Sequence, residues 1–287
     1  MVRRDLGVSF TRSSDGQPRG GREWTAWQHD RALAVQHTGA VTARWVEQWP
    51  DPEALAAEAA RLWPSIAEKA ASDDRAERTA LAAAILAWLW GRVRSADATL
   101  DALTKAVRAA RALGRDAALH AITSIGLTIP AGTQALDAFE AADAATSTAN
   151  AAGTLNTSIR ARLARIAAVL AAAILKGVTV TALAALIAAL VRDVAWLTLL
   201  IVTEIWKAIN AAAATVYAWA AVGWGHWQTA DDDRVCAVCS GNEDLGVVTL
   251  DALPDCPGHP RCRCVILPDR APASAIPGVQ LADLAAA

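Results

Sequence analysis

The chain has 287 residues, room for one large or two ordinary domains, and its formal net charge of −2 excludes a global electrostatic footprint for nucleic acid. Hydrophobic residues make up 54% of it, with 12 Trp against one Tyr and two Phe, and Ala is the commonest residue. Abundant Ala with few β-branched residues favours helix. The expected fold is therefore mainly α, an extended helical protein whose core is Leu, Ile and Ala with Trp as the bulky filler.

Residues 1–22 carry Arg3, Arg4, Arg12, Arg19 and Arg22 among Gly16, Pro18, Gly20 and Gly21, with no periodicity. They read as a flexible basic arm, either a solvated tail or a segment that touches phosphates or an acidic partner. A helical region is expected over 23–125. Trp24, Trp27, Trp45 and Trp49 lie near the ends of its first helix, which Trp49-Pro50-Asp51-Pro52 breaks. Asp51 suits an N-cap and Pro52 the first helical position. Leu55, Ala59 and Leu62 then share a face, and Pro64-Ser65 allows a kink or a new start. Leu81, Ile85, Trp88 and Leu89 follow at helical spacing, and after Ser95-Ala96-Asp97 so do Leu100, Leu103, Val107 and Ala110. Lys105 and Arg108 fall on the opposite, solvated side, and Arg111 nearer the apolar edge.

The stretch Gly126-Leu127-Thr128-Ile129-Pro130-Ala131-Gly132 is the best internal boundary. An apolar helical region is expected over 134–226. Its first helix starts near Gln134 and ends in the run Thr146 to Thr157, which reads as a loop or frayed end. Ile159, Leu163, Ile166, Leu170 and Ile174 make a stripe, with Arg160 and Arg165 off it and Arg162 at its edge. Fifteen uncharged residues lie between Lys176 and Arg192, and ten run from Val194 to Thr203. A membrane span needs about 20. The expectation is helices buried in the protein or facing another copy, not a membrane segment, with part of this surface meeting another subunit. Glu204 and Lys207 are the only charges between Val194 and Val222 and, at i,i+3, are expected to pair facing solvent. Gly223 and Gly225 end the helix.

All five cysteines lie between Trp227 and Pro268: Cys236, Cys239, Cys256, Cys262 and Cys264. Cys236 and Cys239 are separated by two residues, and so are His259 and Cys262. Each spacing lets one tight turn aim two ligands at one ion. Two such turns supply the four ligands of a closed structural zinc site, with Cys264 as the alternative to Cys262. The competing readings are disulfides or unliganded thiols. Met1-Val2-Arg3-Arg4 leads into polar residues with no apolar segment. Synthesis in a reducing cytosol is therefore expected, where such clusters bind metal. A module of about 40 residues over 227–268, with short strands in it, would draw much of its folding energy from the metal. Residues 269–287, with Pro272 and Pro277, read as a tail. His29, His37, His120 and His226 are isolated and read as packing or surface. No phosphate loop, nucleophile elbow or His-Glu-x-x-His run occurs, so no enzyme is expected. Segment 229–268 carries three Arg against seven acidic residues, which disfavours specific nucleic-acid binding.

The same stretch resembles the C-terminal module of the phage Mu F-like head morphogenesis proteins, the minor head proteins. The shared elements are Trp227, the acidic run Asp231 to Arg234, Cys236, Cys239, the turn Asp244 to Gly246, and the His-Pro-x-Cys-Arg-Cys run from His259 to Cys264. Thr203-Glu204 and Asn210 stand where that family has a Thr-Glu pair followed by an Asn. The resemblance covers 194–268, departing at Leu245 in the turn and in the extra Cys256. It implies a virion structural protein, made in the host cytoplasm and placed in the capsid interior or at the portal vertex. It would act in head assembly with the portal or major capsid protein as partner, self-association included, and its zinc knob would hold the chain end in shape. It also implies that Thr203-Glu204 makes a structural contact. Some members carry an enzymatic domain beyond this segment. Residues 265–287 are too few for one, so the alternative, a zinc module with a nucleic-acid-binding or toxin role, is the weaker expectation.

Overall fold

The computed structural model describes residues 36–49, 51–62, 75–92, 97–230 and 234–272. The basic arm, Trp24, Trp27, Pro64-Ser65, the acids Asp231 to Asp233 and most of the tail lie outside these residues. As expected, the chain is mainly helical. Residues 36–47 form α1, followed by α2 (Pro52–Leu62), α3 (Arg75–Arg92), α4 (Asp97–Ser124), α5 (Gln134–Leu175), α6 (Val180–Arg192) and α7 (Ala195–Trp219). A short helix α8 (Ala237–Glu243) and three strands, β1 (Trp224–Gln228), β2 (Val248–Thr249) and β3 (Val265–Asp269), complete it. The strands form an antiparallel sheet in the order β2-β1-β3, with Trp224 opposite Asp269 and Gln228 opposite Val265.

The described residues fall into two compact units that interleave along the chain: 36–107 with 146–202, and 108–145 with 203–272. The units do not run consecutively along the chain. The Gly126–Gly132 stretch is a loop inside one unit, and 227–268 shares a unit with helical segments. The reason is helix length: α4, α5 and α7 each give one part to one core and the rest to the other.

In the first unit, Leu55 and Ala59 of α2 are buried, and α2 packs on α6. Asp51 accepts a hydrogen bond from Glu53 N at 3.2 Å, as an N-cap does. Trp45 is buried edge-on against Trp196 at 5.4 Å and Trp49 at 5.7 Å between ring centroids. The Gln48 side-chain amide donates to Thr99. The run Thr146 to Thr157, expected as a loop, lies inside α5. Ala151 and Leu155 continue the buried stripe of Ile159, Leu163 and Ile166 at i,i+4 spacing, so burial outweighs the weak helix preference of Thr, Ser and Asn. The Thr154 hydroxyl donates back to Asn150 O at 2.9 Å and competes little with the backbone there. Arg162 closes the C-terminal end of α6, its Nη2 donating to Leu190 O and to the Asp193 carboxylate, both at 2.8 Å.

By length and composition alone, Thr181–Trp219 is apolar enough to cross a membrane, with mean hydropathy 2.1 and 22% of its most apolar part buried. Its exposed positions on α6 are Thr181, Ala182, Ala185, Ala189 and Arg192. Among the described residues, none of the exposed large apolar side chains lies between 180 and 222. Further along, Glu204 and Asn210 are buried. The expectation of a solvent-facing Glu204–Lys207 pair thus holds only for Lys207. The two are 3.0 Å apart, but the Glu204 side chain is 7% exposed and that of Lys207 52%. Leu200, Ile201 and Ala208, three or four residues from Glu204, are buried, and that helix face carries the carboxylate inward.

In the second unit, α4 and α7 cross with almost no gap. A Cβ added at Gly114 would collide with the Ile209 carbonyl oxygen, which is backbone and cannot swing aside. Gly114→Ala should therefore cost about 2–3 kcal/mol through overpacking, although alanine is the better helix former. The thermal midpoint reads this, and an unchanged or raised midpoint would contradict the close crossing. Nearby, Arg111 is buried against Asp143 at 2.7 Å, rather than at an apolar edge, and Arg115 pairs with Glu140 at 2.6 Å and Asp137 at 3.0 Å.

Candidate metal centre

Trp227, fully buried near the end of β1, is the floor of the Cys/His cluster, with Cys239, Cys262 and Cys264 packed against it. Cys236 is the N-cap of α8 and Cys239 lies in its first turn, so the two-residue spacing turns both sulfurs to one side. His259 and Cys262 belong to a four-residue turn closed by Cys262 N donating to His259 O at 3.0 Å. Pro260 and Arg261 are its central residues. Arg261 has φ +69°, the left-handed position of a type II turn filled here without glycine.

The four residues expected as ligands come together. Cys236 Sγ and Cys239 Sγ each lie 3.1 Å from His259 Nε2, and Cys239 Sγ is 3.7 Å from Cys262 Sγ. Ligand atoms of Cys236, Cys239 and His259 lie within 4.8 Å of one another, and so do those of Cys239, Cys262 and Cys264. Cys239 is common to both sets. The edge of a tetrahedral thiolate site is about 3.8 Å between sulfurs and about 3.6 Å between sulfur and nitrogen. The Cys239–Cys262 edge already has that length, and the two imidazole edges need to open by about 0.5 Å. The group could hold a metal ion. The His259 ring suits this role: its Nδ1 is 2.8 Å from Pro260 O, which fixes the tautomer and leaves Nε2 as the ligand atom.

Both Cys262 and Cys264 approach Cys239, so the geometry keeps both as candidates for the fourth position. Cys256, in neither set, packs at the edge of the cluster with its thiol donating to Cys264 O at 3.1 Å.

The thiols differ in proton affinity. The backbone N–H of Cys239 holds Cys236 below the usual thiol range. Burial pushes Cys239 up to about 12. Hydrogen bonds from Cys256 and Cys264 hold Cys262 far down as a thiolate. Cys264 is pushed up by donating to Cys262 and by burial, and Cys256 by burial. The bond to Pro260 O raises His259. At neutral pH, then, Cys239 holds a proton that a metal ion must displace. Metal binding should release at least about one proton per ion and tighten as pH rises from 6 to 9. Calorimetry in buffers of different ionisation enthalpy measures this, and a pH-independent affinity would contradict it.

Contacts that no local pattern signals hold the cluster in place. Asn210 on α7 donates from Nδ2 to Cys264 O at 3.1 Å and accepts from Ile266 N at 3.3 Å. It thereby clamps the start of β3. Tyr217 OH donates to Ile266 O at 3.2 Å, and Arg261 N donates to Thr203 Oγ1 at 3.4 Å. The Glu243 carboxylate accepts from Thr229 N at 3.3 Å, Thr229 Oγ1 at 3.0 Å and Gln228 Nε2 at 3.2 Å, tying α8 to the end of β1. Arg270 Nε donates to Ile125 O at 2.7 Å, joining the end of β3 to the end of α4. The resemblance pointed to Thr203 and Asn210. Nothing in the sequence pointed to Tyr217, Glu243 or Arg270. Of the isolated histidines, His226 lies 3.2 Å from Asp269 across the β1–β3 pair, away from the ligand set.

Compared with family models, curated proteins and solved structures, the chain matches none.

Proposed function

We propose that this chain is a phage virion structural protein, a minor head protein that associates with the portal and acts in head assembly, and that its metal is zinc. The observation that carries the reading is the joint between α7 and the Cys/His loop. The residues of the resemblance, far apart in sequence, touch one another: Thr203 meets Arg261, and Asn210 meets Cys264 and Ile266. Zinc follows from the donor set. Three thiolates and one imidazole, mostly buried and with a further thiol to spare, suit a closed structural site and leave no open position for a substrate. The protein is then not an enzyme. The zinc stiffens a scaffold that α7 presents to the portal, the major capsid protein or another copy of the chain. The acidic balance of 229–268 argues against nucleic acid as the partner. The buried, hydrogen-bonded Glu204 and Asn210 argue for α7 packed in protein rather than lipid.

Purified heads of the source phage test this by peptide mass spectrometry and a cryo-electron map. The expected result is the chain at low copy against the major capsid protein, at the portal vertex or inside the head. Complete heads that lack it would overturn the reading.

A further inference from the structure

Helix α8 buries one face and leaves the other bare. Cys239 turns into the Trp227 cluster, and Glu243 turns to Thr229 and Gln228. On the opposite side Val238 is 60% exposed and Leu245 50%. Asp244 keeps helical backbone angles after α8, so Val238 and Leu245, seven residues apart, lie about two turns apart on one face. Gly241 sits between them, and a Cβ added there would meet nothing within 4 Å. The face is thus an apolar notch with open space over its middle. The exposed Asp244 lies on one flank. On the other flank the turn from Asp255 to Gly258 packs beside Asn242, since a Cβ at Gly258 would lie 3.9 Å from Asn242 Nδ2 and 3.8 Å from Asp255 O. Asp255 is exposed on that turn.

An apolar notch flanked by carboxylates fits a basic segment that also carries apolar residues. The chain holds one outside its described residues. Residues 1–22 have five Arg against two Asp, whereas 229–268 has three Arg against seven acidic residues. Between Arg4 and Arg12 stand Leu6, Val8 and Phe10. The 35 residues ahead of α1 span up to about 115 Å when extended, so reach does not limit where they bind. A tethered segment also meets its site at an effective concentration on the order of millimolar, ahead of a dilute free competitor. We propose that residues 1–22 dock on the Val238–Leu245 face of α8 in their own chain. Leu6, Val8 and Phe10 supply the apolar contact over Gly241, and the Arg side chains meet Asp244 and Asp255. The docked arm shields the apolar pair, and a partner segment of like composition has to displace it. This contact depends neither on the ion that the Cys/His group holds nor on a role in head assembly.

The test uses the full chain with a benzophenone amino acid in place of Leu245. Heavy-isotope and light chains are mixed, irradiated and mapped by peptide mass spectrometry, so that adducts within one chain are told from adducts between copies by mass. Position 245 should be joined to residues 1–22 of the same chain. The yield should fall about fivefold between about 50 mM and about 500 mM salt, as a contact between exposed charges requires. Two variants should each lower it about tenfold at low salt: Gly241→Lys, which fills the notch, and Asp244→Lys, which reverses the flanking charge. Neither strains the fold, because Gly241 has open space around it and a cation suits the C-terminal end of a helix. Adducts to other parts of the chain, adducts only between copies, or no adduct to the arm would overturn the proposal. So would a yield indifferent to salt and to both variants.

Discussion

Cys239→Ser should strip the chain of its metal while leaving the helices folded. Cys239 is the one thiol that belongs to both mutually close ligand sets, so its loss opens both at once. The extra thiols cannot replace it. Cys264 and Cys256 approach from the side of β3, whereas the Cys239 sulfur is aimed by the first turn of α8. Metal affinity should fall by more than about 100-fold, and the metal-dependent folding energy of the module with it. The stripes of Leu, Ile and Ala along α1 to α7 contain no metal ligand, so circular dichroism should stay strongly helical. Limited proteolysis should now cut between Gln228 and Pro268. A Cys239→Ser chain that holds a full equivalent of metal and resists protease as the parent does would defeat the four-ligand account. Serine variants of Cys262 and Cys264 compared side by side then identify the fourth ligand as the one whose loss weakens binding more.

Asn210→Leu should loosen the metal module from α7. The Asn210 amide is buried and serves two backbone groups at the start of β3, Cys264 O and Ile266 N, while also donating to Trp206 O at 3.0 Å. Leucine fills a similar volume and makes none of these bonds. Cys264 O keeps the Cys256 thiol as a donor, but Ile266 N is left with no acceptor. A buried amide stripped of its partner costs about 1–3 kcal/mol, and the lost bond to Cys264 O adds to it, for about 3 kcal/mol in all. Hydrogen exchange at Ile266 should speed up by about 100-fold if the loss is felt locally. Metal affinity should fall too, because Cys262 and Cys264 sit on the segment that Asn210 holds. Unchanged exchange at Ile266 with unchanged affinity would show that Tyr217 and Arg270 anchor the strand without it.

These two residues mark what can and cannot be read from the chain. The buried faces of α2, α4 and the second part of α5 follow from i,i+4 apolar spacing, a local property. The residues of the Cys/His cluster were legible for the same reason: each pair lies within one turn, at Cys236–Cys239 and at His259–Cys262. The choice between Cys262 and Cys264 was not, because residues two apart on chain entering a strand point the same way, and both reach Cys239. The anchor of the module was hidden by distance, since Asn210 and Cys264 are 54 residues apart. The interleaving of the two units was hidden by the length of α4, α5 and α7, whose single apolar stripes carry no mark where one core hands over to the other. The Thr146 to Thr157 run is helical against its Thr, Ser and Asn content because Ala151 and Leu155, on either side of Gly153, are buried.

The most direct measurement is zinc-edge X-ray absorption on chain purified without added metal, with the metal content of the same sample measured alongside. The account predicts one zinc per chain in a four-coordinate shell of three sulfurs at about 2.3 Å and one imidazole nitrogen at about 2.0 Å. Less than about half an equivalent of zinc together with blocked thiols would mean disulfides in place of a metal site. A four-sulfur shell with no nitrogen would remove His259 from the centre and contradict the account.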